Sequence, residues 1–133
     1  FVVAQENTFL SRISVAQYDM PTLLAYASDK KASQAVIDAA KKAAAMLATM
    51  NATAARIALL GQERQSIDAD QNRIRQNMAS IDHDTEVYRR YLTKFNEQES
   101  RLEVILVETA NEQKTLQSQQ NALNDYVRSL NVS

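Results

Sequence analysis

The chain has no cysteine, one glycine, one proline and one histidine in 133 residues. Without cysteine there are no disulfides and no thiolate metal sites, and the redox compartment stays open. A single glycine and a single proline favour long uninterrupted helices over a turn-rich fold. No charge of either sign dominates: 15 basic against 16 acidic residues leave a net charge of -1. No global field therefore draws the chain to nucleic acid or anionic lipid. Charged and amide residues are expected to interrupt every stretch before it becomes apolar enough to span a bilayer, so membrane insertion is not expected. The chain starts at Phe1, without the basic-then-apolar build of a signal peptide, and reads as a fragment of a longer protein.

What is present is heptad periodicity, twice over. In the second half, apolar or tolerated residues recur at alternating spacings of four and three: Tyr88, Leu92, Phe95, Glu99, Leu102, Leu106, Thr109, Gln113, Leu116, Gln120, Leu123, Val127 and Leu130. That spacing predicts a helix with one seam. The first half carries Val36, Ala40, Ala43, Leu47, Met50, Ala54 and Ile57, then Leu60, Arg64, Ile67, Gln71, Ile74, Met78 and Ile81. Two helices of similar length, about 33–80 and 85–131, joined at Asp82 to Asp84, are expected to fold back into an antiparallel coiled-coil hairpin. About 48 residues per helix at 1.5 Å each predict a rod of roughly 70 Å. Ser33 is the expected cap of the first helix, and Asp84 or Thr85 that of the second.

The fold class is thus all-α, in two parts. Residues 29–133 are the hairpin. Residues 1–28 are expected to add a minor β element, with strands at Phe1 to Val3 and Thr8 to Val15, and a short helix opened by Asp19 and Pro21. A short turn predicts facing residue numbers that sum to about 166, setting Ile74 against Leu92, Gln71 against Phe95, Leu60 against Leu106 and Ala43 against Leu123. Small alanines would then face leucines at the base.

The first stripe breaks between Ala54 and Leu60, where two spacings of three follow each other beside Gly61. A local change of winding is preferred there to a hinge. At the same height Val104, Ile105, Leu106 and Val107 run in sequence, giving the return helix apolar surface on all sides. With Ile57, Leu59 and Leu60 they are expected to form a girdle that one partner helix cannot cover. Ile57, Leu59, Leu60, Val104, Ile105 and Val107 are therefore the candidate interface residues, for a second copy of the chain or for another domain of the parent protein. On this reading Ile105→Glu with Val104→Lys would break an oligomer, and Leu102→Ala or Leu106→Ala would unfold the hairpin.

No residue pattern indicates catalysis. Arg64 is expected to reach Glu99 or Glu103 across the seam, and a carboxylate held charged by arginine is a poor general acid. His83 sits in a solvated turn, and a metal site would need further converging ligands. Arg73, Arg75, Arg89, Arg90 and Lys94 form a basic cluster, but Asp68, Asp70, Asp82, Asp84 and Glu86 interleave with them, favouring helix-surface ion pairs over a nucleic-acid face. No phosphate loop, zinc-protease motif or nucleophile elbow is present. No cofactor and no small-molecule substrate are expected.

The run Gln71-Asn72-Arg73-Ile74-Arg75-Gln76-Asn77, with Tyr88-Arg89-Arg90-Tyr91-Leu92 and Asn96-Glu97-Gln98-Glu99 after the turn, resembles the C-terminal part of bacterial proteins carrying the domain of unknown function 4139. The stretch from Phe1 to Tyr26 resembles that family's passage from a β-rich region into its terminal helices. The resemblance covers most of the chain. It implies a helical tail on a larger, exported or envelope-associated protein, with no catalytic residue or cofactor to carry over. It also singles out Gln71, Arg73, Arg75 and Asn77 as residues that bind the tip loop or a partner. The expected role is an assembly or spacer module. The alternatives are a nucleic-acid-binding arm and an accessory part of an enzyme whose active site lies upstream.

Overall fold

Sequence free of proline and capped at its start favours continuous helix, and the computed structural model contains two such helices, the first of them alanine-rich. It describes residues 33–132, so the strands and short helix expected within 1–28 lie outside the described residues. Helix α1 spans Gln34–Ala79 and helix α2 spans Glu86–Val132. They pack against each other as a helical hairpin, and no strand occurs among the described residues.

The caps explain the boundaries. At the start of α1, the Val36 amide donates to the Ser33 hydroxyl at 3.2 Å, satisfying one of the free amides of the first turn. At the end, the Ser80 and Ile81 amides donate to the carbonyls of Asn77 and Met78, tightening the last turn. Thr85 caps α2: its hydroxyl donates to the Asp82 carbonyl at 2.7 Å and accepts from the Tyr88 amide at 3.2 Å. The turn is thereby held from both sides, and the His83 ring stacks on Tyr88 at 4.4 Å.

By contact the described chain forms two units. One comprises residues 33–53 with 115–132, and the other is Ala54–Lys114. In the first, Val36, Ala39, Ala40, Ala43 and Ala44 of α1 are buried with Leu123 and Val127 of α2, flanked by Met46, Leu47, Met50, Tyr126 and Leu130. Methyl side chains opposite leucine and valine let two helices approach closely. Burial of Tyr126, with Asp38 nearby, pushes its phenol up from its ordinary pKa. The Lys42 ammonium lies 4.6 Å from the centre of its ring. In the second unit the buried apolar side chains are fewer, Ile74 and Ile105, and Gln71 is also buried.

Two expectations about the seam need correction. On α2 the half-buried and buried positions are Tyr88, Tyr91, Phe95, Gln98, Arg101, Leu102, Ile105, Thr109, Glu112, Leu116, Gln119, Leu123, Asn124, Tyr126, Val127 and Leu130. From Tyr91 to Gln119, one of every two seam positions therefore falls one residue earlier than the apolar count suggests, whereas Val127 is buried as that count expects. Leu92 and Leu106 point outward, and Tyr91 and Ile105 take their places. On α1, Thr53 is fully buried while Ala54 is exposed, which restores three-four-three spacing from Met50 to Leu60. The consecutive spacings of three expected at Ala54, Ile57 and Leu60 fall instead at Leu47, Met50 and Thr53 and at Ile57, Leu60 and Glu63, and α1 runs through Gly61 as continuous helix.

The physical reason is polar. The earlier frame lets long side chains of α2 bond to α1. Gln119 accepts from the Thr53 hydroxyl at 2.8 Å, Gln98 donates to Asp70 at 2.6 Å, and Glu112 accepts from Arg56 at 3.2 Å. The pairs Asn77 with Tyr91, Asp70 with Gln98 and Arg56 with Glu112 also fix the register: each sums to 168, two more than expected.

A third correction concerns apolar length. An eighteen-residue window within α1 reaches a mean hydropathy of 1.4, enough to cross a membrane by length and composition alone. The alanine-rich stretch 43–60, with Arg56 as its one charge, accounts for it. Asn51 and Arg56 do interrupt that stretch, but they do not bring it below spanning hydropathy, so the expectation that no stretch is apolar enough fails there.

Candidate functional site

The residues singled out by sequence fall within the unit Ala54–Lys114, and the structure sorts them into three groups. The first group braces the hairpin. Gln71 donates to Glu99 at 2.9 Å, Asn77 donates to Tyr91 at 3.1 Å, and the Arg75 guanidinium lies 5.3 Å from the centre of the Phe95 ring. Arg73 pairs with Asp70 one turn back at 2.9 Å. Three of the four residues of the family-like run thus contact the facing helix of the same chain.

The second group is charged. Arg101 grips Glu63 with two parallel bonds of 2.6 and 2.7 Å across the hairpin, a fork geometry specific to arginine. That bond holds the Glu63 carboxyl below its ordinary pKa and raises the Arg101 guanidinium. Asp70 gathers Arg73, Gln98 and Lys94, which together hold its carboxyl below its ordinary range. Arg73 and Lys94 of the basic cluster therefore share the single negative charge of Asp70, and Arg89 donates to the Asp84 carbonyl. Arg89, Arg90 and Lys94 share a shallow groove with Glu86 and Glu97, so the cations alternate with anions as expected. Arg64 is exposed and makes no ion pair among the described residues. The pair expected between it and Glu99 or Glu103 is replaced by the Arg101 to Glu63 fork, because the seam passes through Glu63.

The third group is apolar. Ile105 is only 2% exposed and lies inside the hairpin, so it is removed from the outer surface, and Ile57 and Leu60 are half-buried. Leu59 (63%), Val104 (45%) and Val107 (59%) stand in solvent, and Leu106 (68%) joins them. These residues do not form a closed girdle. At 100° per residue Leu106 and Glu108 lie on opposite sides of Ile105. Leu59 accordingly lines one groove with Arg56, Leu60, Glu63, Glu108 and Glu112. Leu106 lines the other with Arg64, Asp68, Glu99, Leu102 and Glu103. Val107 faces away from both. Sequence reasoning missed Leu106 as a surface residue because its spacing fits a heptad as well as that of Ile105.

No group of three or more histidine, aspartate or glutamate side chains is placed to hold a metal among the described residues. No family model, curated protein or solved structure matches the chain.

Proposed function

We propose that the hairpin is a structural, protein-interaction module of a larger bacterial protein and that it associates with a second copy of itself. The observation that carries this reading is the group of large apolar side chains at mid-hairpin, in the unit Ala54–Lys114, that the hairpin leaves in water: Leu59, Val104, Leu106 and Val107, with Val87 and Leu92 also exposed nearer the turn. Removing such side chains from water is favourable by about 25 cal/mol per Å². Leu106 and Val107 are neighbours on the outer face of α2, and exposed apolar surface left without a partner marks association in soluble proteins. The cross-helix braces at Asp70, Glu63 and Gln71 support the same reading, since a module that presents a surface needs that surface held in one register. The proposal assigns no catalytic residue and no cofactor.

The test is the mass of the chain in solution, by light scattering across a range of concentrations. A dimer is expected. Leu106→Glu with Val107→Lys should return it to monomer while circular dichroism shows unchanged helix content, because both side chains lie outside the seam. Ile105→Glu is unsuitable for this test, since it would place a charge between the helices. An unmodified chain that stays monomeric at high concentration would overturn the proposal.

A further inference from the structure

The outer face of α2 carries a second stripe, distinct from its seam: Glu99, Glu103, Leu106, Val107, Ala110 and Lys114, every one exposed. Glu99, Glu103, Leu106 and Ala110 follow at four, three and four residues, and Lys114 lies seven beyond Val107, so the stripe keeps heptad spacing along one side of the helix. Its charge is polarised. Two glutamates stand at the N-terminal end, a lysine at the C-terminal end, and the apolar pair in between. Neither Glu103 nor Lys114 has an ion-pair partner among the described residues. The Leu59 groove differs, because the Arg56 to Glu112 and Glu63 to Arg101 pairs already span its charges.

Resting on the self-association proposed above, we infer that the second copy docks on this stripe, α2 against α2 and antiparallel, about a two-fold axis between Leu106 and Val107. In that arrangement a residue numbered n faces residue 213 − n of the copy. Leu106 meets Val107, Glu103 meets Ala110, and Glu99 meets Lys114, each contact occurring twice because a two-fold interface is self-complementary. Ala110 gives the longer glutamate room, and the two apolar pairs lie at the centre, where exclusion of water is greatest. A parallel dimer in register would instead set Glu99 on Glu99, Glu103 on Glu103 and Lys114 on Lys114. Charge pattern of this kind contributes orientation and selectivity more than strength.

The absence of cysteine makes the test clean, since a single introduced thiol has no competitor. Two variants, Val107→Cys and Gln113→Cys, are treated with a short bifunctional maleimide. The antiparallel arrangement puts the two copies of position 107 side by side and those of position 113 about 20 Å apart along the axis. The expected result is dimer crosslinking for Val107→Cys and none for Gln113→Cys. Lys114→Glu should also weaken the dimer roughly tenfold at low salt, with the difference fading as salt is added. Crosslinking of both thiols would mean a parallel pair and overturn the antiparallel arrangement while leaving self-association intact. A dimer by mass that crosslinks at neither position uses another face, which also overturns it. A monomer by mass removes both the arrangement and the reading beneath it.

Discussion

Gly61 is the residue where composition and structure disagree most usefully. It lies in the interior of α1, where glycine costs about 1 kcal/mol relative to alanine through backbone entropy. A Cβ built on it would meet nothing within 4 Å. Gly61→Ala is therefore expected to raise stability by about 0.5–1 kcal/mol, seen as a higher thermal midpoint. A fall would mean that the position bends in solution.

Two carboxyls, Glu63 and Asp70, contribute to the acid dependence of stability. The folded pKa values of Glu63 and Asp70 lie below their ordinary values of 4.5 and 3.8, so the unfolded chain takes up protons first as the pH drops. The stability they contribute is complete above those ordinary values and is lost as the pH falls through the depressed ones. Glu63→Gln and Asp70→Asn should each flatten the acid side of a stability profile, most visibly at low salt because both sites are solvated.

The seam belongs to the scale of the element. Positions 88, 95, 102, 109, 116, 123, 127 and 130 are common to the frame read from apolar residues and to the frame the helices adopt. Half of the seam was thus legible, together with both caps, the turn and the pairing of alanine with leucine. The alternate positions were not, because Val104 to Val107 satisfies either frame. What decides between the frames is hydrogen bonding by Gln98, Glu112 and Gln119, which an apolar count scores as defects. The difference is measurable. Ile105→Ala should cost about 2–5 kcal/mol, as expected for a filled interior site, whereas Leu106→Ala in dilute solution should stay within about 0.5 kcal/mol. Urea titration of the two variants separates the frames, and equal losses would restore the other one.

At the scale of the whole molecule, the interaction surface was half legible. Sequence alone showed more apolar residues in Val104 to Val107 than one partner helix can bury, and the structure identifies Ile105 as the one taken inside. Assigning the remainder to faces needed the helix rotation, and that depends on the polar bonds just described. Binding that favours the folded state raises stability by mass action. The thermal midpoint of the associating chain should therefore climb with its concentration, and that of the Leu106→Glu, Val107→Lys variant should not.

Ala40 and Ala43 are wholly enclosed against Leu123. At such a spot the gap between two backbones is set by a methyl group, and any longer side chain would act as a wedge. Drift during evolution is consequently unequal along α1: its wet surface can wander through many polar letters, while these two sites are confined to the smallest. A distant cousin of this hairpin would betray itself less by overall likeness than by paired small residues, three apart, standing across from one bulky aliphatic.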